Sequence, residues 1–386
     1  MTTHVQIETV SDDNQKSLFR SQRIKLNGRT AVTPFRVLDP SKFRTDAVLN
    51  DKAFGFNEIY KEISSEKIAL MQKNTIEHDR FAREMVNLSR RGHADDLGVC
   101  LVKFVAQGTS PFPTLKEIEF LTDVAHSYSD LTPLPMVETK IEESNFQRYL
   151  AFVKASLTAI EELNQKPVIG VLPNLPRELY PKLLDFYASK DINALYFDFN
   201  GQTPDHLKLR PILRQLKKTK TLDKSLIYGV NAKPGRVLKN SNVIPSKDFI
   251  AYGFGLDILG ESHVKPRLPK MFFEKMKSAV ASQQANKKRI FIKSDYGYYK
   301  TSEKSEVELV FPTDSKISLE RILGDEQKTW QKLFNMEQQA MEAAEIRKRL
   351  GQLGSSETIL DYVREKTQIQ KEIRHLQNGP KSISKE

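Results

Sequence analysis

The stretch from 166 to 232 decides the fold. KPVIGVLP (166–173), NALYFDFN (193–200) and SLIYGVNA (225–232) are nearly continuous apolar runs. They are separated by PRELYPKLLDFYASK (176–190) and PDHLKLRPILRQLKK (204–218), which carry apolar residues at helical spacing. A strand apolar on both faces needs cover on both sides, and helical crossovers give that cover to parallel sheets. Working outward, further strands are predicted at TAVTPFRVL (30–38), CLVKFVAQ (100–107), LTPLPMVE (131–138), FIAYGFGLD (249–257) and RIFIKSDYGYY (289–299). Helices are predicted at 113–128, 145–165 and 266–283. No glycine-rich dinucleotide fingerprint follows any strand. Eight strands with regular crossovers predict an α/β fold, a (β/α)8 TIM barrel over residues 1–300. A long helical insertion is expected after the first strand, at 51–93, holding DKAFGFNEIY and SSEKIALMQKNTIEHDRFAREMVNLSRR. SEVELVFP (305–312) reads as an edge strand. A helical extension follows over 301–386, ending in the polar tail NGPKSISKE.

Composition narrows the classes. With 386 residues, 39% hydrophobic and 28% charged, the chain has the balance of a globular protein with a large core. Cys100 is the single cysteine, which excludes an intramolecular disulfide and a cysteine-rich zinc site. No run approaches the length of a membrane span, and the expectation is a cytoplasmic protein with no membrane partner. The formal charge is +11, and residues 201–300 hold 21 Lys or Arg against 7 Asp or Glu. Such a regional surplus fits a surface facing a polyanion, and equally a solvated basic face.

In a barrel, chemistry gathers at the C-terminal ends of the strands. Arg36 and Asp39, Asp198 and Asn200, Asn231, Lys233 and Arg236 in VNAKPGR, and Asp257 in GFGLDILGESH are the polar groups expected there. Lys233 and Arg236 supply cationic donors for phosphate beside Gly235, although Lys-Pro-Gly is also an ordinary turn. Asp257 is suited to hold a ribose or orient a base, and Glu261 with His263 to form an acid–base or metal pair. KSDYGYYK (293–300) places Asp295 at a predicted strand end, with Tyr296, Tyr298 and Tyr299 available to line a pocket or stack on a base.

Four segments resemble the tRNA-guanine transglycosylase family and its relatives that insert deazaguanine bases into DNA. RIKLNGRTAVTPFRVLD (23–39) is similar to the family's opening hairpin and Thr-Pro first strand. FIAYGFGLD resembles its glycine-rich penultimate strand. RIFIKSDYGYY resembles the final strand that carries the nucleophilic aspartate. WQKLFNMEQQAMEAAEIRKRLGQ (330–352) resembles the helix after the barrel. The resemblance implies Asp295 as nucleophile and Asp51 as the second, acid–base aspartate. Asp198, Asn200, Asn231, Lys233, Arg236, Asp257 and Tyr296 are then expected to bind substrate. The implied reaction exchanges a purine or deazapurine base in DNA or RNA through an aspartyl glycosyl-enzyme, with no cofactor; the family's usual cysteine-rich zinc site is absent, since Cys100 stands alone, and no bound metal is expected. The base must be flipped out or single-stranded. The expected partners are nucleic acid, the free base, and a second copy of the chain or an accessory subunit. Two other classes stay open. One is a barrel enzyme for a small phosphorylated sugar or nucleotide; the other is a noncatalytic nucleic-acid-binding subunit.

Overall fold

The computed structural model describes residues 5–13, 15–26, 28–93, 95–106, 110–163, 166–236, 242–264, 289–324, 327–354 and 357–384. The predicted helix at 266–283 lies outside these residues. The chain opens with an antiparallel sheet, β1 (Gln6–Asp12), β2 (Arg20–Leu26) and β3 (Arg29–Val32). The parallel strands follow: β4 (Phe35–Arg36), β5 (Phe56–Ser64), β6 (Leu97–Val105), β7 (Thr132–Pro133), β8 (Met136–Val137), β9 (Val168–Leu172), β10 (Ala194–Asp198) and β11 (Leu226–Val230). After β12 (Ile244–Pro245) comes the last parallel strand, β13 (Ile258–Leu259). β14 (Arg289–Ile292) and β15 (Gly297–Lys300) form an antiparallel hairpin that β12 extends.

The protein is thus a mixed α/β fold built on parallel strands. One parallel sheet runs β4-β13-β11-β10-β9-β7, and another runs β5-β6-β8. The two touch at both margins. β7 and β8 are successive parts of one extended segment. At the other margin Leu38, just past β4, bridges Asn57 of β5 in parallel, with hydrogen bonds Leu38 N to Phe56 O of 2.9 Å and Glu58 N to Leu38 O of 2.8 Å.

Local chemistry explains the middle of the chain. All five residues of β9 are buried, as two covered faces require. The crossover helices are α1 (Ser65–Lys73), α2 (Thr75–Ser89), α3 (Leu115–Ser127), α4 (Glu143–Glu161), α5 (Leu179–Ser189) and α6 (His206–Lys218). A reciprocal capping box between Thr114 and Glu117 starts α3, and the Asp205 carboxylate accepts the Lys208 N–H at the start of α6. Gly170 leaves room for the Tyr187 ring, which a Cβ would meet at 2.9 Å. No helix among the described residues is long and apolar enough to cross a membrane.

Five sequence expectations are corrected. The expected insertion at 51–93 is not helical throughout, because it contains β5, a full parallel strand. The expected strand 249–257 is largely a 3-10 helix, Phe249–Phe254, all six residues buried, and the true strand follows at 258–259. The expected eighth strand at 289–299 is the antiparallel hairpin, packed on the helix Gln327–Leu350 instead of joining the parallel strands. The segment read as an edge strand at 305–312 is mainly the helix Lys304–Val310, and the tail read as polar continues as helix Ile373–Ser384 with Ile383 buried. The C-terminal helices share the main core, since Ala343, Ile346, Leu350, Val363 and Leu376 cluster with β9–β11.

Candidate functional site

A cleft of about 640 Å³ opens at the C-terminal ends of the parallel strands. β4 contributes Arg36, β5 Tyr60 and Glu62, the loop after β11 Lys233, and the segment after β13 Gly260, Glu261, Ser262 and His263. Asp248 and Tyr298 form another wall, and the helix Gln327–Leu350 closes the side with Lys332, Asn335 and Gln339.

Under this cleft the charges are locked in a buried network. The Arg36 guanidinium donates to Gln339 Oε1 at 2.7 Å, to the Leu259 carbonyl at 3.1 Å and to Glu261 Oε1 at 2.5 Å. Burial works against its charge, but Glu261, Tyr252, Glu58 and Tyr298 together outweigh that effect and hold its pKa above the ordinary value. Glu58 is fully buried. Its Oε1 accepts the Glu261 N–H at 3.1 Å and lies 2.5 Å from His263 Nε2. Gly260 is required here, because a Cβ would fall 2.6 Å from Glu58 Oε2 and 2.5 Å from Val230. The His263 ring stacks on Tyr60 with centroids 4.0 Å apart, and the His263 backbone N–H donates to Asn231 Oδ1 at 2.7 Å. Burial raises the Glu58 carboxyl while the His263 charge opposes it. At His263 burial is outweighed by Glu58, Glu261 and Asp39, so the imidazole is raised. The two directions agree with a pair holding one shared proton.

Asp248 is the other distinctive group. It is buried, its Oδ2 accepts the Tyr298 hydroxyl at 2.6 Å, and its Oδ1 has no hydrogen-bond partner among the described residues. Burial raises its carboxyl to about 6, against the lowering effects of Tyr298 and Arg36. Gln339 donates to the same Tyr298 oxygen at 2.5 Å, which links Asp248 to Arg36.

Some residues expected from the sequence gather near this cleft. Lys233 lines it, exposed. Asn231, in a left-handed backbone conformation with φ 56°, supports His263, and its Nδ2 donates to Asp198 Oδ1 at 2.8 Å. Asp198 also accepts the Asn200 N–H at 2.7 Å, so it braces the loop below the rim. Asn200 and Arg236 are exposed and do not line the cleft.

Other expected site residues lie elsewhere. Asp51 is exposed at the start of a 3-10 turn, Asp51–Ala53, away from the cleft lining. Asp257 sits at the N-terminal end of β13, the opposite end from the cleft, because the chain reaches the strand only after it. There it is fully buried and paired bidentately with Arg20 at 2.9 and 2.7 Å. Asp295 lies in the turn of the hairpin, not at a parallel strand end, where Gly297 N–H at 2.9 Å and the Tyr299 hydroxyl donate to it. Tyr296 is buried between Phe249 and Phe291, and its hydroxyl donates to Glu342 at 2.7 Å. It is core, not a substrate wall.

Sequence reading found Arg36, Glu261 and His263 but missed Glu58, Asp248 and Gln339. Glu58 lies in FNEIYKEIS, which shows neither a continuous apolar run nor a clean apolar–polar alternation, so nothing in its pattern singled it out. Asp248 precedes a segment that reads as a strand, and nothing local marks its burial.

No family model matches this chain, and no curated protein does. Among solved structures it is similar to the carboxyl transferase domain of Rhizobium etli pyruvate carboxylase. With 3-bromopyruvate that domain is 9% identical at a TM-score of 0.35, over 82% of this chain and 47% of that one. With 3-hydroxypyruvate the figures are 10%, 0.34, 85% and 50%, and with pyruvate 11%, 0.34, 81% and 47%. The chain spans about half the length of these domains, a likeness too weak to assign an activity.

Proposed function

We propose that the two parallel sheets form one eight-stranded (β/α)8 barrel and that the cleft at its mouth is the active site of a base-exchanging glycosyl-transfer enzyme. Closure is supported by the shared β7–β8 segment at one margin and the Leu38–Asn57 bridge at the other. The observation that carries the activity is the placement of Glu261 directly after the last parallel strand, in the same cleft as the raised carboxyl of Asp248. The transglycosylase resemblance puts the nucleophile on the last barrel strand. Here that strand is β13, so the role passes from Asp295 to Glu261.

In this reading a Glu261 oxygen attacks C1′ of a nucleotide, and the C1′–N bond breaks with its electrons leaving on the base. A ring nitrogen of the incoming purine or deazapurine then attacks C1′, and the carboxylate departs. The Asp248 carboxylate, on the cleft wall, takes the proton that this nitrogen loses. The Arg36 guanidinium donates to Glu261 Oε1 and aims it, and Lys233 and Lys332 on the rim offer contacts for phosphate.

The test is base exchange. Single-stranded DNA or RNA is incubated with isotopically heavy guanine or a deazaguanine, then digested and read by mass spectrometry. Incorporation that disappears in Asp248→Asn supports the reading. Turnover of a free nucleotide or sugar phosphate with none on polymer favours the small-molecule alternative.

A further inference from the structure

Base exchange needs a proton at two moments, and Asp248 answers only the second. Its carboxyl, near 6, is ionised at neutral pH and suited to accept. A departing purine must gain a proton, which calls for a donor on another part of the wall. His263 lines the cleft, with 11% of its side chain exposed, and every other side of it is fixed. Its Nε2 is committed to Glu58 at 2.5 Å, its ring lies flat on Tyr60 with an interplanar angle of 5°, and its backbone is tied to Asn231. Nδ1 is the one polar atom of the side chain with no hydrogen-bond partner among the described residues. Glu58 is in turn held by the Glu261 N–H, so one short segment carries both the nucleophile and the ring. An imidazole whose far nitrogen is engaged by a buried carboxylate is the arrangement by which enzymes fix a tautomer and support an imidazolium.

We propose that His263 is the acid that hands a proton to the departing base through Nδ1, and that Glu58 is the positioning residue that holds the ring for it. The proposal rests on the glycosyl-transfer reading and adds a residue to it. The groups facing the ring are Glu58 and Tyr60 from β5, Glu261 from its own segment, and Asp39 beyond β4. Arg36 lies behind the two glutamates. The acidic ones favour the protonated ring. The step balances: the proton leaves Nδ1 as the C1′–N electrons settle on the base, and solvent restores it to the neutral ring.

The experiment compares two substrates, a single-stranded oligonucleotide bearing guanine and the same strand bearing 7-methylguanine, whose cationic base leaves without being protonated. His263→Asn is expected to slow release of guanine by about 100-fold or more and that of 7-methylguanine by less than about 5-fold. Glu58→Gln is expected to show the same selectivity more weakly. Equal losses on both substrates would overturn the acid role and leave His263 a structural group.

A second measurement needs no turnover. In an NMR titration of the native protein, the His263 ring is expected to titrate above the ordinary histidine value, and to fall back in Glu58→Gln with its Tyr60-shifted ring resonances retained. A native His263 titrating at or below the ordinary value would overturn the proposal by itself. If the native protein releases neither base while His263 titrates as expected, the glycosyl-transfer reading fails and takes the acid role with it, but the Glu58–His263 pair stands.

Discussion

At Asp248 and His263 the same burial acts on opposite charges. Leaving water disfavours a carboxylate and an imidazolium alike, so it pushes Asp248 up and His263 down. Asp248 keeps its upward shift, to about 6, because Tyr298, Arg36 and nearby backbone N–H groups offset its burial only in part. His263 reverses because Glu58 supplies a full charge at 2.5 Å. If one group accepts a proton and the other donates, kcat/KM should rise through about pH 6 and fall again above the ordinary histidine range. A pH series on the native protein and Asp248→Asn checks this, with the lower limb expected to vanish in the variant. Asp295 obeys a different logic. Burial raises its carboxyl, opposed by Tyr299, Gly297 and Gln368, and those donors explain its place as a brace for the hairpin turn. Asp295→Asn is therefore expected to keep exchange within about 3-fold while lowering stability by about 1 kcal/mol, read by urea unfolding.

At the scale of elements, β5 is the piece that makes the site. It delivers Glu58 and Tyr60 beneath the cleft and meets β4 at its edge. KPVIGVLP, NALYFDFN and SLIYGVNA were legible because a strand covered on both faces must be apolar throughout. FNEIYKEIS was not, because its inward side chains enter a polar mouth, where Glu58 is worth keeping only beside His263 and Arg36. The end of the strand series was misread for the converse reason. FIAYGFG is apolar because the 3-10 helix is buried on all sides, and RIFIKSDYGYY because the hairpin is packed on the long helix. Both mimic the composition of a central strand, while β13 itself offers only Ile258 and Leu259 as signal. Asp257 and Arg20 fasten the far end of that strand to β2, where the carboxyl is raised by burial and pulled back by the guanidinium. Asp257→Ala leaves Arg20 buried and unpaired, and is expected to cost about 3–5 kcal/mol in urea unfolding without altering the cleft's chemistry.

Over the whole molecule, the basic surplus that the sequence places in 201–300 is divided among the described residues. Lys217, Lys218, Lys220 and Lys224 lie at the N-terminal end of the strands, where α6 finishes and β11 begins, whereas Lys233 reaches the cleft and Lys332 joins it from the C-terminal helix. Neutralising Lys233 and Lys332 should lower the slope of log affinity for single-stranded nucleic acid against log salt by about one each, while neutralising Lys217 and Lys220 leaves it unchanged. Fluorescence anisotropy over a salt series measures the difference. Two of the buried carboxyls contribute a pH response whose window is defined. Asp96 and Asp248 are both raised by burial from 3.8 to about 6, so each binds its proton more tightly folded than unfolded. Their contribution is complete below 3.8 and is lost as pH rises through about 6, and the double variant Asp96→Asn, Asp248→Asn should flatten the loss of stability in that window. The central claim is that chemistry occurs at the end of the last parallel strand. Its most direct test is intact mass, with peptide mapping, of denatured protein after incubation with single-stranded nucleic acid and a deazapurine. The account expects a covalent nucleic-acid adduct on Glu261 that persists in Asp295→Asn and is absent in Glu261→Gln; an adduct mapped to Asp295, or one retained in full by Glu261→Gln, would contradict it.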